Sequence, residues 1–320
     1  MTTISTTLTG VPSSAQALAL SRLIEGKISP LPAPQSILHI ATSDRVLESL
    51  AQALKFFLPN TEILVFPAWD TMPYDRASPQ PALMAERIKV LRILSTPGSS
   101  KNPRIILTTA SAILQKLPPR DIIERIAFTI KRGEKLKPDA LIAYLIEQGY
   151  RRAGKAMESG EFALRGGIID IIPSGMEGGV RIDLFGDEVE SLKPFDPMTQ
   201  LSSGSVEQLM LFPMSEVLLN EENITRFRAG YRDSFGAVSK EDPLYETISQ
   251  NASYAGMEHW LPLFYERTDS LLDYCENALI TMDSEAQTSI SERQESIIDY
   301  YEARKTALST SSKKNSFAGG

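Results

Sequence analysis

Cysteine is nearly missing from this sequence. Cys275 is the only one in 320 residues, so no internal disulfide can form and no cysteine pair can hold zinc. Histidine is almost as scarce: His39 and His259 alone supply poorly any histidine-built metal site or catalytic triad. There is no run of about 18 apolar residues, so no membrane span is expected. The start, "MTTISTTLTGVPSSAQ", lacks the basic stretch and apolar core of a secretory signal. A basic surplus is missing too. Lys and Arg number 33 against 40 acidic residues, a formal charge of −7, which argues against a chain that grips nucleic acid by neutralising phosphates. The absences read as a cytoplasmic protein with no membrane partner and no metal, with local basic patches left open.

What is present is globular. At 42% apolar and 23% charged residues, the chain can build two or three compact domains. Residues 1–118 alternate helical and strand patterns. "ALALSRLIEG", "DRVLESLAQALKFFL" (with Asp44 as the expected N-cap) and "ALMAERIKVLRIL" have helical spacing. "SILHIAT", "EILVFPA" and the start of "PRIILTTASAILQKL" are short apolar runs. Strands separated by helices of this length predict an α/β domain with a parallel sheet. Residues 119–211 change texture to short β segments after one helix, an inserted α+β domain. Residues 212–308 read as mostly helical, and 309–320 as a polar, disordered tail.

The turn before the first helix, "TGVPSSAQALAL", has the spacing of a phosphate loop without its chemistry. Aligned on Gly10, Ala15 stands where the second glycine belongs, Gln16 replaces the lysine and Ala17 the Mg²⁺-binding hydroxyl. The alignment is either a degenerate nucleotide loop or an ordinary strand-to-helix turn. Both predict that this chain binds no Mg-nucleotide tightly.

In "VRIDLF" the period-two alternation puts Val180, Ile182 and Leu184 on one face and Arg181, Asp183 and Phe185 on the other. Burying an unpaired Arg and Asp is expensive, so the second face is the solvent side. "EFALR" splits the same way, with Ala163 and Arg165 opposite Phe162 and Leu164. An exposed Phe beside Arg is the make-up of interface centres. Two plainer readings stand beside it: Phe185 tucked under the following turn, and Arg181–Asp183 as an ordinary surface ion pair. "WDTMPYD" (Trp69, Asp70, Tyr74, Asp75) and "MEHWLPLF" (His259, Trp260) could suggest an acid pair, a stacking platform or a catalytic histidine. A loop anchored by Trp69 and a structural His259 are the simpler accounts.

Three segments, "FPAWDTMPYDRASPQPALMAERIKVL", "GYRRAGKAMESGEFALRGGIIDIIPSGMEGGVRIDLFGDEVESLKPFDPMTQ" and "AGMEHWLPLF", resemble the N-terminal, UvrB-like region of the bacterial transcription-repair coupling factors. The likeness extends over roughly residues 5–300. It implies a degenerate helicase-like (RecA-like) domain carrying an inserted α+β domain, with the nucleotide loop lost at Gly10, Ala15, Gln16 and Ala17. It also implies that the inserted domain binds the damage sensor UvrA through Arg165, Arg181 and Phe185. The stretch between Tyr74 and Ala85 is too short for the aromatic hairpin that UvrB inserts into damaged DNA. ATP and Mg²⁺ would belong to a motor domain elsewhere in a longer protein. RNA polymerase and DNA would be partners only through that longer protein, whose other domains would mask the UvrA face. The expectation is a non-enzymatic recruiting module. The alternatives are an ATP-dependent helicase domain and a damaged-DNA binder in the UvrB manner.

Overall fold

The computed structural model describes residues 6–28, 32–96, 102–126, 128–176, 178–236, 238 and 242–317. In chain order its elements are α1 (Gln16–Ile24), β1 (Ser36–Ala41), α2 (Asp44–Phe57), β2 (Glu62–Phe66), α3 (Pro81–Ser95), β3 (Arg104–Thr109), α4 (Ala110–Ile113), α5 (Arg120–Arg125), β4 (Phe128–Lys131), α6 (Pro138–Glu147), β5 (Arg151–Arg152), β6 (Glu161–Arg165), β7 (Ile168–Ile171), β8 (Gly179–Phe185), β9 (Glu188–Phe195), β10 (Gln208–Leu211), α7 (Glu221–Phe235), α8 (Pro243–Ser249), α9 (Leu271–Tyr274), β11 (Leu279–Met282) and α10 (Ala286–Phe317). α10 runs through most of the stretch read as a disordered tail; residues 318–320 lie outside the described residues. Among the described residues no helix is long and apolar enough to cross a membrane. The chain forms two compact units that are not sequential blocks: Met1–Ala68 with Gly98–Leu114 and Cys275–Arg293, and Trp69–Pro97 with Gln115–Tyr274 and Gln294–Gly320.

The first unit is built on a four-stranded sheet in the order β11-β1-β3-β2, with every pair parallel. After their first residues β1 and β3 are buried throughout, as parallel strands covered on both sides are. One sheet face packs Ile37, Ala41, Ile105 and Leu107 against Leu20, Leu23 and Ile24 of α1 and Leu47, Leu50 and Leu54 of α2. The cap of α2 is Ser43, not Asp44. The extended backbone that a cap requires falls at Ser43 (φ −154°, ψ 163°), so Asp44 is already the first helical residue. β11 lies in the stretch read as mostly helical and adds the fourth strand, with Ile37 opposite Leu279 and Ile40 opposite Met282.

The second unit carries a five-stranded sheet, β5-β6-β7-β8-β9, antiparallel except at its β5–β6 edge, and a separate antiparallel pair β4–β10. The inner face of the larger sheet (Phe162, Ile169, Ile171, Val180, Ile182, Val189, Leu192) packs on Leu141 and Leu145 of α6 and on Ile130, Leu209 and Leu211 of the β4–β10 pair. A bulge between Asp183 and Leu184 shifts the β8–β9 register, which lets Val189 and Leu192, three residues apart, both face inward. In the helical part, α7 and α8 pack with residues 257–265 around Phe227, whose ring stacks on Phe264 at 4.8 Å. Trp69 sits edge-on to His259 at 5.5 Å, with the Arg87 guanidinium 5.5 Å from its centroid, an anchor inside this unit. Arg87 is itself fully buried against Glu216, Nε to Oε1 at 2.5 Å.

Candidate partner-docking face

The outer face of the five-stranded sheet is set by register. β7 lies between β6 and β8, pairing Arg165 with Ile168 and Ile168 with Asp183 in one row, and Ala163 with Asp170 and Asp170 with Arg181 in the next. Val180 and Ile182 are buried, Leu184 packs against the same core, and Phe185 is 80% exposed. The ring therefore points to solvent and is not tucked under the turn.

Phe185 and Arg165 end two parallel-running strands, each entering a two-residue turn. Gly166 (φ +60°) and Gly186 (φ +61°) supply the left-handed backbone that these turns demand. At Gly167 a side chain has no room, because a Cβ would stand 2.9 Å from the Leu184 carbonyl oxygen. The β8–β9 turn is latched from outside. The Leu136 N–H donates to the Asp187 carbonyl (2.6 Å), the Gly133 N–H to the Val189 carbonyl (2.8 Å), and the Val189 N–H to the Glu134 carbonyl (3.0 Å). An exposed aromatic on a fastened strand loses little further freedom on binding.

Arg181 is not the free cation expected beside Phe185, nor is it paired with Asp183. Its Nε and Nη2 fork onto Asp170 of the neighbouring strand (2.7 and 2.9 Å), a carboxylate whose side chain is 2% exposed. Asp170 holds the guanidinium above even its usual range. Nη1 donates to Ser202 Oγ (3.3 Å), and the group lies 5.3 Å from the Phe195 ring centroid. Asp183 pairs instead with Lys193 Nζ (2.8 Å) and Ser191 Oγ (2.5 Å). Burial pushes its carboxyl up, but these bonds outweigh that and leave it below the ordinary carboxylate range. Arg165 donates to the Gly154 carbonyl (3.1 Å), beside exposed Lys155. Neither Arg165 nor Lys155 has a carboxylate partner among the described residues. The sequence reading missed Lys155 and Asp170. "RRAGKAM" held the first as a plain charge, and the second needed the β7–β8 register.

At the other candidate site, Gly10 has φ +75° in open space, Ser13–Ala15 form one tight turn, and Gln16 opens α1 with Ala17 buried. The Gln16 amide donates to Asp283 Oδ1 (2.8 Å), whose Oδ2 accepts the Thr42 N–H (3.1 Å). His39 Nε2 lies 3.2 Å from the same carboxylate and its Nδ1 3.0 Å from Thr281 Oγ1. Burial raises the Asp283 carboxyl, and His39, Thr42 and Gln16 together outweigh it and hold the group below its ordinary value.

Residues 128–217, which include this antiparallel sheet with a ring and cations on its outer face, match the UvrB interaction domain. Over most of its length the chain is similar to the N-terminal region of the transcription-repair-coupling factors. It is 36% identical to that of Rickettsia bellii over 84% of this chain and 24% of the relative. It is 32% identical to that of Escherichia coli over 74% and 20%. The Bacillus subtilis protein is 28% identical over 90% and 25%. The chain thus spans about a quarter of the length of the curated relatives it matches.

Proposed function

We propose that this chain is the UvrA-docking module of a transcription-repair coupling factor, bringing the excision-repair sensor to sites of stalled RNA polymerase. The observation that carries this reading is Phe185, 80% exposed on a fastened strand of the segment that matches the UvrB interaction domain. A large apolar ring in water, on the same sheet face as Arg165, which has no carboxylate partner among the described residues, has the make-up of an interface anchor. The all-parallel first unit is read as a degenerate helicase-like scaffold without catalysis. In support, Gln16 stands where a phosphate-binding lysine would be and is committed to Asp283, a carboxylate of the wrong sign for a phosphate neighbour. In the longer protein, other domains cover the face until the motor engages, so this chain alone would bind UvrA more tightly than the full-length protein.

Competition tests the reading. UvrB presents the same domain type, so excess UvrB should displace the labelled chain from UvrA. A ternary complex that holds both at once would remove the proposal.

A further inference from the structure

Among the described residues the four most exposed large apolar side chains are Phe56 (82%), Phe185 (80%), Met198 (77%) and Leu201 (72%). Three of the four lie between Phe185 and Leu201, on one domain. In a loosely held loop, exposed Met198 and Leu201 would need no explanation. This loop is fastened throughout. Asp196 Oδ1 accepts the N–H groups of Met198 (2.9 Å) and Thr199 (2.7 Å) and the Thr199 hydroxyl (3.1 Å). The Asp196 N–H donates to the Leu201 carbonyl (3.0 Å), and the Gln200 N–H to the Asp196 carbonyl (2.7 Å). Gln200 adopts φ +63°, a left-handed conformation that is unfavourable for a non-glycine residue. Its side-chain amide compensates by donating to the carbonyls of Ala156 (3.1 Å) and Pro197 (2.7 Å). The fold fixes the backbone beneath two apolar side chains without burying them.

The turn belongs to the same face as Phe185. Ala156, to which Gln200 is tied, joins Ala163, Ile172 and Phe195 in a small cluster on the outer side of the sheet. Phe195 lies over Gly179, where a Cβ would stand 2.3 Å from its ring. Ser202, next to Leu201, bridges to Phe195 and receives the Arg181 Nη1 bond. Arg181 therefore stands between the turn and Phe185, which is four residues further along β8, about 13 Å away. A standard interface covers a patch roughly 30 Å across, wide enough for both.

We propose that Met198 and Leu201 form a second apolar anchor of the docking face, entering an apolar hollow on the partner that receives Phe185. This rests on the reading of that partner as UvrA. The surface that fits offers two apolar depressions, with carboxylates opposite Arg165 and Lys155. Methionine suits the second depression because its unbranched thioether adapts to irregular walls.

The test titrates UvrA with the wild-type chain, with Phe185→Ala and with the double variant Met198→Ala/Leu201→Ala, following the unfolding midpoint of each. The double variant should weaken binding at least 10-fold at an unchanged midpoint. In the complex, peroxide oxidation of Met198 should slow several-fold, while Met72, outside the docking domain, oxidises at its free rate. Suppose instead that Phe185→Ala weakens binding but the double variant stays within twofold and Met198 oxidises as in the free chain. The second anchor is then overturned and the docking reading stands. If the wild-type chain does not bind UvrA, both fall.

Discussion

Arg181 and Asp170 form a two-pronged ion pair across adjacent strands, with the aspartate's side chain 2% exposed and the arginine's 22%. Arg181 is therefore part of the sheet's internal economy before it is part of any interface. Removing it strands a buried carboxylate.

Arg181→Ala should destabilise the chain by about 2–4 kcal/mol in urea unfolding, because a buried charge loses its partner. Arg181→Glu, which places two carboxylates together, should cost more. Phe185→Ala should stay within about 0.5 kcal/mol of wild type, since its ring is in water already. A stability change below about 0.5 kcal/mol for Arg181→Ala would show that the pair is not holding β7 to β8. Loss of UvrA binding in an Arg181 variant is uninformative unless this measurement accompanies it.

Acid sensitivity follows from the carboxylates. Asp183 and Asp283 both have folded-state values below the ordinary one, each because hydrogen bonds and neighbouring cationic or polar groups outweigh burial. A depressed value means that the unfolded chain takes up protons first as pH falls. The stability these groups contribute is thus complete above their unfolded value of about 3.9 and is lost as pH drops through the folded value. Urea midpoints should be level in this respect from pH 7 to about 5 and decline below about 4. Asp283→Asn should be less stable at pH 7, where the site loses its charge and one of the two oxygens that accept from Gln16, Thr42 and His39. It should also lose less between pH 5 and 3. An unchanged acid limb in that variant would contradict the assignment.

The first unit should bind nucleotide no better after Gln16→Lys. The new ammonium would meet Asp283, to which the amide now donates at 2.8 Å, and Ala17 still offers no hydroxyl to Mg²⁺. Fluorescent-nucleotide titration should show no saturation at micromolar concentration for wild type or variant. Micromolar affinity in the wild type would reopen the enzymatic reading.

Local patterns in the sequence carried the parallel-sheet unit and the inward-facing Val180 and Ile182, because period and apolar run length are properties of neighbouring residues. What they could not carry was pairing at long range. Arg181 and Asp183 share a face two residues apart on one strand, about 7 Å, whereas a cross-strand neighbour lies at about 5 Å. Asp170 therefore wins, and only the register shows it. β11 escaped for the same reason: "LITM" is too short to announce a strand and becomes one by lying against β1. The capping error at Asp44 was one residue, within the latitude of helix ends. Met198 and Leu201 looked like turn residues of no consequence, since their exposure depends on how Asp196 and Gln200 close the turn.

The central claim is that a solvent-facing ring on β8 docks UvrA, and one titration tests it most directly. Purified UvrA is titrated with the wild-type chain and with Phe185→Ala, both shown to unfold at the same urea midpoint. The account expects the variant to lose about 2 kcal/mol or more of binding free energy, about a 30-fold rise in Kd. A Kd within twofold of wild type would contradict it.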